Sequence, residues 1–170
     1  MKTLVALVKK DLLSEFRTLE MLVTIITTSL LVTVVLAIAC NTSFVSAKDI
    51  TNLFPALIWV VFVFAASISL GRGFESEIEH RGFERILLFG VSPVTIYFSK
   101  FICTFLIIAF GHFFSVCALA VLLNVSLLEI VWQFSLVSIL VLIGYAALAC
   151  LMQPISSVSK IKGMLLPIIL

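Results

Sequence analysis

The sequence predicts an all-α integral membrane protein: a polytopic helical bundle with an N-terminal amphipathic surface helix, four full spans and the start of a fifth. Two observations carry this. Apolar residues make up 62% of the 170 and charged residues 12%, with a mean hydropathy of +1.30, which leaves too little polar surface to cover a soluble domain. The apolar residues also fall in long runs between short charged stretches. A hydrocarbon core of about 30 Å needs about 20 such residues per helix. A single transmembrane domain over 1–170 is the expected organisation.

The elements follow in order. Within Met1–Glu20, residues Leu4, Leu7, Val8, Leu12 and Phe16 fall close to one helical face, and Lys9, Lys10, Glu15 and Arg17 take the rest. That describes a short helix lying on the membrane surface. Met21–Cys40 is uncharged, rich in β-branched residues and long enough to span. Asn41–Asn52 supplies polar punctuation. A second span runs over Leu53–Leu70, with Pro55 near its start, where a missing N–H costs least, and Trp59 about a turn further in. Gly71–Lys100 is the only long polar connection and carries Arg72, Glu75, Glu77, Glu79, His80, Arg81, Glu84, Arg85 and Lys100. Spans at Phe101–Leu123 and Ile130–Met152 follow, separated by a brief turn at Asn124–Glu129. Gln153–Gly163 is polar again, and Met164–Leu170 restarts an apolar run too short to span alone, so the expectation is either a fragment or a last helix completed elsewhere.

Charge reports topology. With the N-terminus placed in the cytoplasm, all of the eleven Lys and Arg residues except Lys48 fall on the inner side, which the positive-inside rule favours. The net charge of +2 is small, and the cations sit in short loops rather than in a stripe interleaved with aromatics, so nothing points to nucleic acid. No small-residue cleavage site follows the first apolar run, and no cleaved signal peptide is expected. Cys40, Cys103, Cys117 and Cys150 lie in or at the ends of apolar runs without C-x-x-C or zinc-like spacing. They read as small buried apolar residues.

Chemistry is sparse. No G-x-x-x-x-G-K-[ST] occurs, so the chain has no P-loop with which to cradle nucleotide phosphates. Gly71 and Gly73 form only a G-x-G, read as a helix-end break. The spacing of the two histidines suits no metal. His80 sits in the charged connection and His112 stands alone within the third span. An intramembrane histidine is either a hydrogen-bonded helix contact or a lining of a passage, including an axial haem position. The charged connection carries the sharper signal. Over Glu75–Phe89, Ile78, Phe83, Ile86 and Leu87 gather opposite Glu77, Arg81 and Glu84, and Glu77 pairs with Arg81 at i,i+4. This predicts an amphipathic helix at the membrane surface, interrupted by Gly82 and ended with the help of Pro93, against a merely connecting loop.

These residues resemble a known family. Phe16-Arg17, then Phe54-Pro55-Ala56-Leu57-Ile58-Trp59, Arg72-Gly73-Phe74-Glu75, Arg81-Gly82-Phe83-Glu84-Arg85-Ile86-Leu87-Leu88, Ser92-Pro93 and Lys100 are similar to the haem exporter protein B family, CcmB. The stretch from Glu77 to Leu88 is shared with the wider ABC-2 exporter permeases, and Pro55–Trp59 favours the haem exporter branch. The resemblance implies six spans in the complete protein and an inner-membrane permease subunit of the ABC-type complex of cytochrome c maturation. Its partners would be a separate ATP-binding cassette subunit, other cytochrome c maturation membrane subunits and a second permease copy, with haem as the transported substrate rather than a bound cofactor. His112 matches no family histidine.

The leading expectation is a non-catalytic permease in a bacterial inner membrane, with mitochondria as the other possible location. Glu75, Arg81, Gly82, Glu84 and Arg85 would shape the ATPase-coupling surface, and Lys9, Lys10, Arg17 and Lys100 would anchor the chain at the membrane surface. A membrane scaffold docking partners without ATP, an ABC-2 permease for another lipophilic substrate, and an ion-driven transporter are the alternatives. The last needs ionisable groups near the bilayer midplane, where only His112 qualifies.

Overall fold

The computed structural model describes residues 2–42, 47–79, 92–125 and 131–158, and among these helix is the only regular secondary structure. Five helices follow one another: α1 (Lys2–Thr18), α2 (Glu20–Thr42), α3 (Ala47–Glu79), α4 (Pro93–Leu123) and α5 (Val131–Val158). Four of them, α2 to α5, are long and apolar enough to cross a membrane. The all-helical, four-span reading of the sequence therefore holds. Met164–Leu170, the expected start of a fifth span, lies outside the described residues.

A single residue separates α1 from α2. Leu19 adopts φ 56°, its N–H bonds the Glu15 carbonyl at 2.6 Å, and its own carbonyl accepts from Val23 N at 2.8 Å. One helix thus ends and the next begins at the same peptide. The left-handed conformation costs a non-glycine residue about 1 kcal/mol, and the Glu15 side chain offsets it. Its Oε1 accepts from the N–H groups of Met21 at 2.7 Å and Leu22 at 3.2 Å, two donors that a helix start leaves without partners.

In lipid, where no water satisfies a polar group, a hydroxyl of α2 gains from an internal partner; Thr33 Oγ1, buried, has none among the described residues. Thr24, Thr27 and Thr28 donate to carbonyls four residues back, at 2.6 to 2.7 Å, and Ser29 to Ile26 O at 2.9 Å. The buried face of α2 is Ile25, Ser29, Thr33 and Ala37. This i,i+4 stripe of mostly small side chains lets the helix lie close against α3 and α4. α4 comes close to α2 at Gly111, where an added Cβ would fall 2.3 Å from Ile25 Cδ1.

α3 is the central helix. Its buried residues, Phe54, Ile58, Val61, Phe62, Ala65, Ala66, Ser69 and Leu70, recur at helical spacing. Of these, Phe62, Ala66 and Leu70 form one core with Ile108, Leu142 and Ala149, and Phe54 and Ile58 form a second with Leu119 and Ala120. Val60, Phe64 and Ile68 point outward, as they should on a helix in hydrocarbon. α5 packs on α4 and, less extensively, on α3, and exposes Leu136, Val137, Ile139, Leu140, Ile143, Leu148 and Leu151.

The helices outrun the apolar windows. α3 runs from Ala47 to Glu79, at about 1.5 Å per residue some 50 Å against a core of about 30 Å. Pro55 is its ninth residue rather than its opening, and Gly71 and Gly73 lie within it rather than ending it. Two glycines at about 1 kcal/mol each do not stop a helix whose preceding turns are so well packed. The separate surface helix expected from Glu75 begins instead as the tail of α3, and its remainder lies outside the described residues. Pro93 opens α4 rather than ending a helix: Ser92 Oγ accepts from Thr95 N at 3.4 Å, and Pro93 occupies the first helical turn, where its missing N–H would be unpaired in any case. α4 ends at Asn124 in the left-handed conformation, with Val125 N on Ala120 O at 3.1 Å. α5 continues through Pro154 to Val158, beyond the Met152 limit read from hydropathy.

Candidate functional site

Two polar constellations stand out in this apolar bundle. The first surrounds His112, on α4 and 5% exposed. Trp59 and Phe62 reach it from α3 and Phe134 from α5. The imidazole stacks on Trp59 with centroids 5.5 Å apart and planes at 22°, and on Phe134 at 5.9 Å and 23°; Phe62 meets it edge-on at 5.1 Å. Nε2 lies 3.3 Å from Ser138 Oγ on α5, while Nδ1 is buried with no hydrogen-bond partner. Two turns along α5, Tyr145 packs on Phe62 at 5.3 Å, and its hydroxyl meets Ser67 Oγ at 2.8 Å. Three spans therefore meet on one aromatic cluster, fastened by two cross-helix hydrogen bonds. This is the helix-contact reading of His112. No group of His, Cys, Asp and Glu suited to a metal occurs among the described residues.

The second constellation ties α1 to the bundle. Leu4, Leu7, Val8 and Leu12 are half-buried, as the amphipathic pattern predicts, but Val5, Leu13 and Phe16 form a second apolar surface that is 58 to 63% exposed. Leu4, Val5, Val8, Lys9, Leu12, Leu13 and Phe16 line an open apolar groove against Ile102 of α4. Asp11 and Glu15 face inward between these surfaces. Asp11 is 3.6 Å from Lys100 Nζ and 3.5 Å from Lys10 Nζ. Glu15, assigned to the polar face by sequence, is instead the cap of α2. At the same end, Ser69 of α3 donates to Met21 O at 2.9 Å, and Tyr97 of α4 to Ala147 O of α5 at 3.4 Å.

The residues named from sequence fall as follows. Lys9, Lys10 and Arg17 are exposed on α1. Lys100 is largely covered, its side chain 21% exposed and directed at Asp11. Glu75 lies on the final turns of α3. Arg81, Gly82, Glu84 and Arg85 lie outside the described residues, so the coupling surface is not assembled here. The four cysteines are free, with Cys103 and Cys150 buried and Cys40 and Cys117 half-buried. The inward carboxylates were missed, though Asp11 and Glu15 sit at i,i+4 on the stripe of Leu4, Leu7 and Val8, a visible signal. The partners of His112 come from three spans, and no spacing in one span reveals them.

Four closely packed apolar spans, a buried aromatic cluster and an N-terminal helix strapped along the bundle define a multi-pass helical membrane protein. The chain belongs to the CcmB family, whose model, described as CcmB protein, matches residues 2–170. This is a family of transporter membrane subunits serving haem export in c-type cytochrome biogenesis. Searches of curated proteins and of solved structures gave no significant match.

Proposed function

We propose that the chain is the permease subunit of an ABC-type exporter that delivers haem for c-type cytochrome assembly, in a bacterial inner membrane with its N-terminus in the cytoplasm. The observation that carries this is the family match along the whole chain. ATP is hydrolysed by a separate cassette subunit, and this chain converts its closure into helix movement. The docking surface is the connection between α3 and α4, with Glu75, Arg81, Gly82, Glu84 and Arg85 shaping it. Two features support that placement. α3 continues from Arg72 to Glu79 beyond its apolar span, about 10 Å of helix, and α4 starts on a cap at Ser92, so helix bounds the connection on both sides. Other maturation subunits and a second permease copy complete the assembly. Haem is cargo, moved past uncharged helix surfaces and held by no residue assigned here.

The test is purification of the tagged protein from its own membranes in mild detergent. An ATP-binding subunit should accompany it and be lost when Glu84 and Arg85 are reversed in charge. Purification without any ATPase overturns the reading and favours a scaffold that works without ATP.

A further inference from the structure

α1 has two jobs written on it, and only one concerns lipid. Lys9, Lys10 and Arg17 are exposed beside the apolar Val5, Leu13 and Phe16, as membrane contact requires. A helix that only lay on anionic head groups would gain nothing from carboxylates. Yet Asp11 and Glu15 also serve the bundle: Asp11, its side chain 9% exposed, pairs with Lys100 of α4 through one oxygen and with its neighbour Lys10 through the other, and Glu15 takes the opening N–H groups of α2. An ion pair this covered is costly to leave half-made, so α1 and α4 are held in register at this point. Lys100 stands eight residues after Ser92, about 12 Å along α4. A displacement of the start of α4 therefore reaches Asp11 within two turns, and reaches α5 through Tyr97 on Ala147 O. From α1 it passes through Glu15 into the first turn of α2, where Ser69 of α3 holds the Met21 carbonyl.

We infer that Asp11 and Lys100, with Glu15, form a strut that makes the lipid-anchored α1 travel with α4, so that motion delivered at Ser92 becomes concerted motion of the four spans. This rests on the permease reading and assigns positioning residues to it; none of the three touches cargo. The strut stays closed through the cycle, and sign matters less than pairing.

The test uses the full chain in the complex purified with its ATP-binding subunit, reading three quantities: co-purification, ATP hydrolysis, and c-type cytochrome formed in cells per unit of complex. Asp11→Asn and Lys100→Met should keep the ATPase bound and turning over while lowering cytochrome formation about tenfold, the order of effect one residue on a coupling route has. The exchange D11K/K100D should restore it, and Asp11→Glu should cost little. A merely structural pair would lower all three quantities together. Normal cytochrome formation in the single variants, with the ATPase bound, overturns the strut. Where a single variant is lost from the membrane, the exchange decides: abundance and activity recovered together support it, and abundance without activity overturns it. Failure of the wild type to bring down an ATPase is a different result and overturns the permease reading itself.

Discussion

Gly111 and Gly144 lie on consecutive spans, and Gly→Ala at the two should give opposite signs. At Gly144 of α5 a new Cβ meets nothing within 4 Å, so alanine contributes only its better helix propensity, a gain of about 0.5–1 kcal/mol. At Gly111 the same Cβ would sit 2.3 Å from Ile25 Cδ1, 2.7 Å from Cγ1 and 3.1 Å from Cγ2. Ile25 is 1% exposed and β-branched, with one strongly preferred rotamer in a helix, so it cannot swing clear and α2 must move. Overpacking of this kind costs about 1–3 kcal/mol, and a contact this short belongs at the upper end. The propensity gain leaves Gly111→Ala destabilised by about 1–2 kcal/mol. The assay is unfolding of the detergent- or bicelle-held protein by a graded increase in denaturing detergent, with both variants in parallel. Ile25→Ala combined with Gly111→Ala should be less destabilised than the sum of the two single changes, by about 1 kcal/mol or more. Equal, near-neutral effects at both glycines would show that α2 and α4 do not meet at Gly111 and would refute the packing described.

Other expectations follow from single contacts. Glu15→Ala removes the cap from Met21 and Leu22 N–H and should cost about 1–2 kcal/mol. Glu15→Gln should cost less, and both should speed hydrogen exchange at those two amides. Tyr145→Phe loses only the Ser67 hydrogen bond and should cost about 0.6 kcal/mol, the usual value between membrane helices, read in the same unfolding assay. His112→Ala opens a cavity inside an aromatic cluster and should cost about 3 kcal/mol. His112→Phe keeps the ring and should be milder, and in a Trp132→Phe background the emission of Trp59 should change far more for alanine than for phenylalanine.

Helix type and the four full spans were legible because uninterrupted apolar runs of membrane length have few other solutions. Helix limits were not, since hydropathy marks where the chain leaves hydrocarbon and not where backbone hydrogen bonding stops. α3 and α5 both continue past their apolar windows for that reason. Pro93 shows the same gap. A Ser-Pro pair ends one element or starts the next, and what decides is the Ser92 side chain on Thr95 N. In α1 the periodicity gave the amphipathic character, but it treated carboxylates as outward by default, and the capping role of Glu15 depends on the sharp turn at Leu19. The setting of His112 was illegible in principle, because Trp59, Phe134 and Ser138 become its neighbours only through the way three spans pack.

The most direct measurement of the central claim is covalent haem attachment to an exported c-type cytochrome in cells from which this chain has been deleted, detected by haem-dependent peroxidase staining. Cytochrome holoform should disappear, return with the wild-type chain, and fail to return with the chain reversed in charge at Glu84 and Arg85, while apocytochrome is still exported. Undiminished holoform in the deletion strain would contradict the assignment.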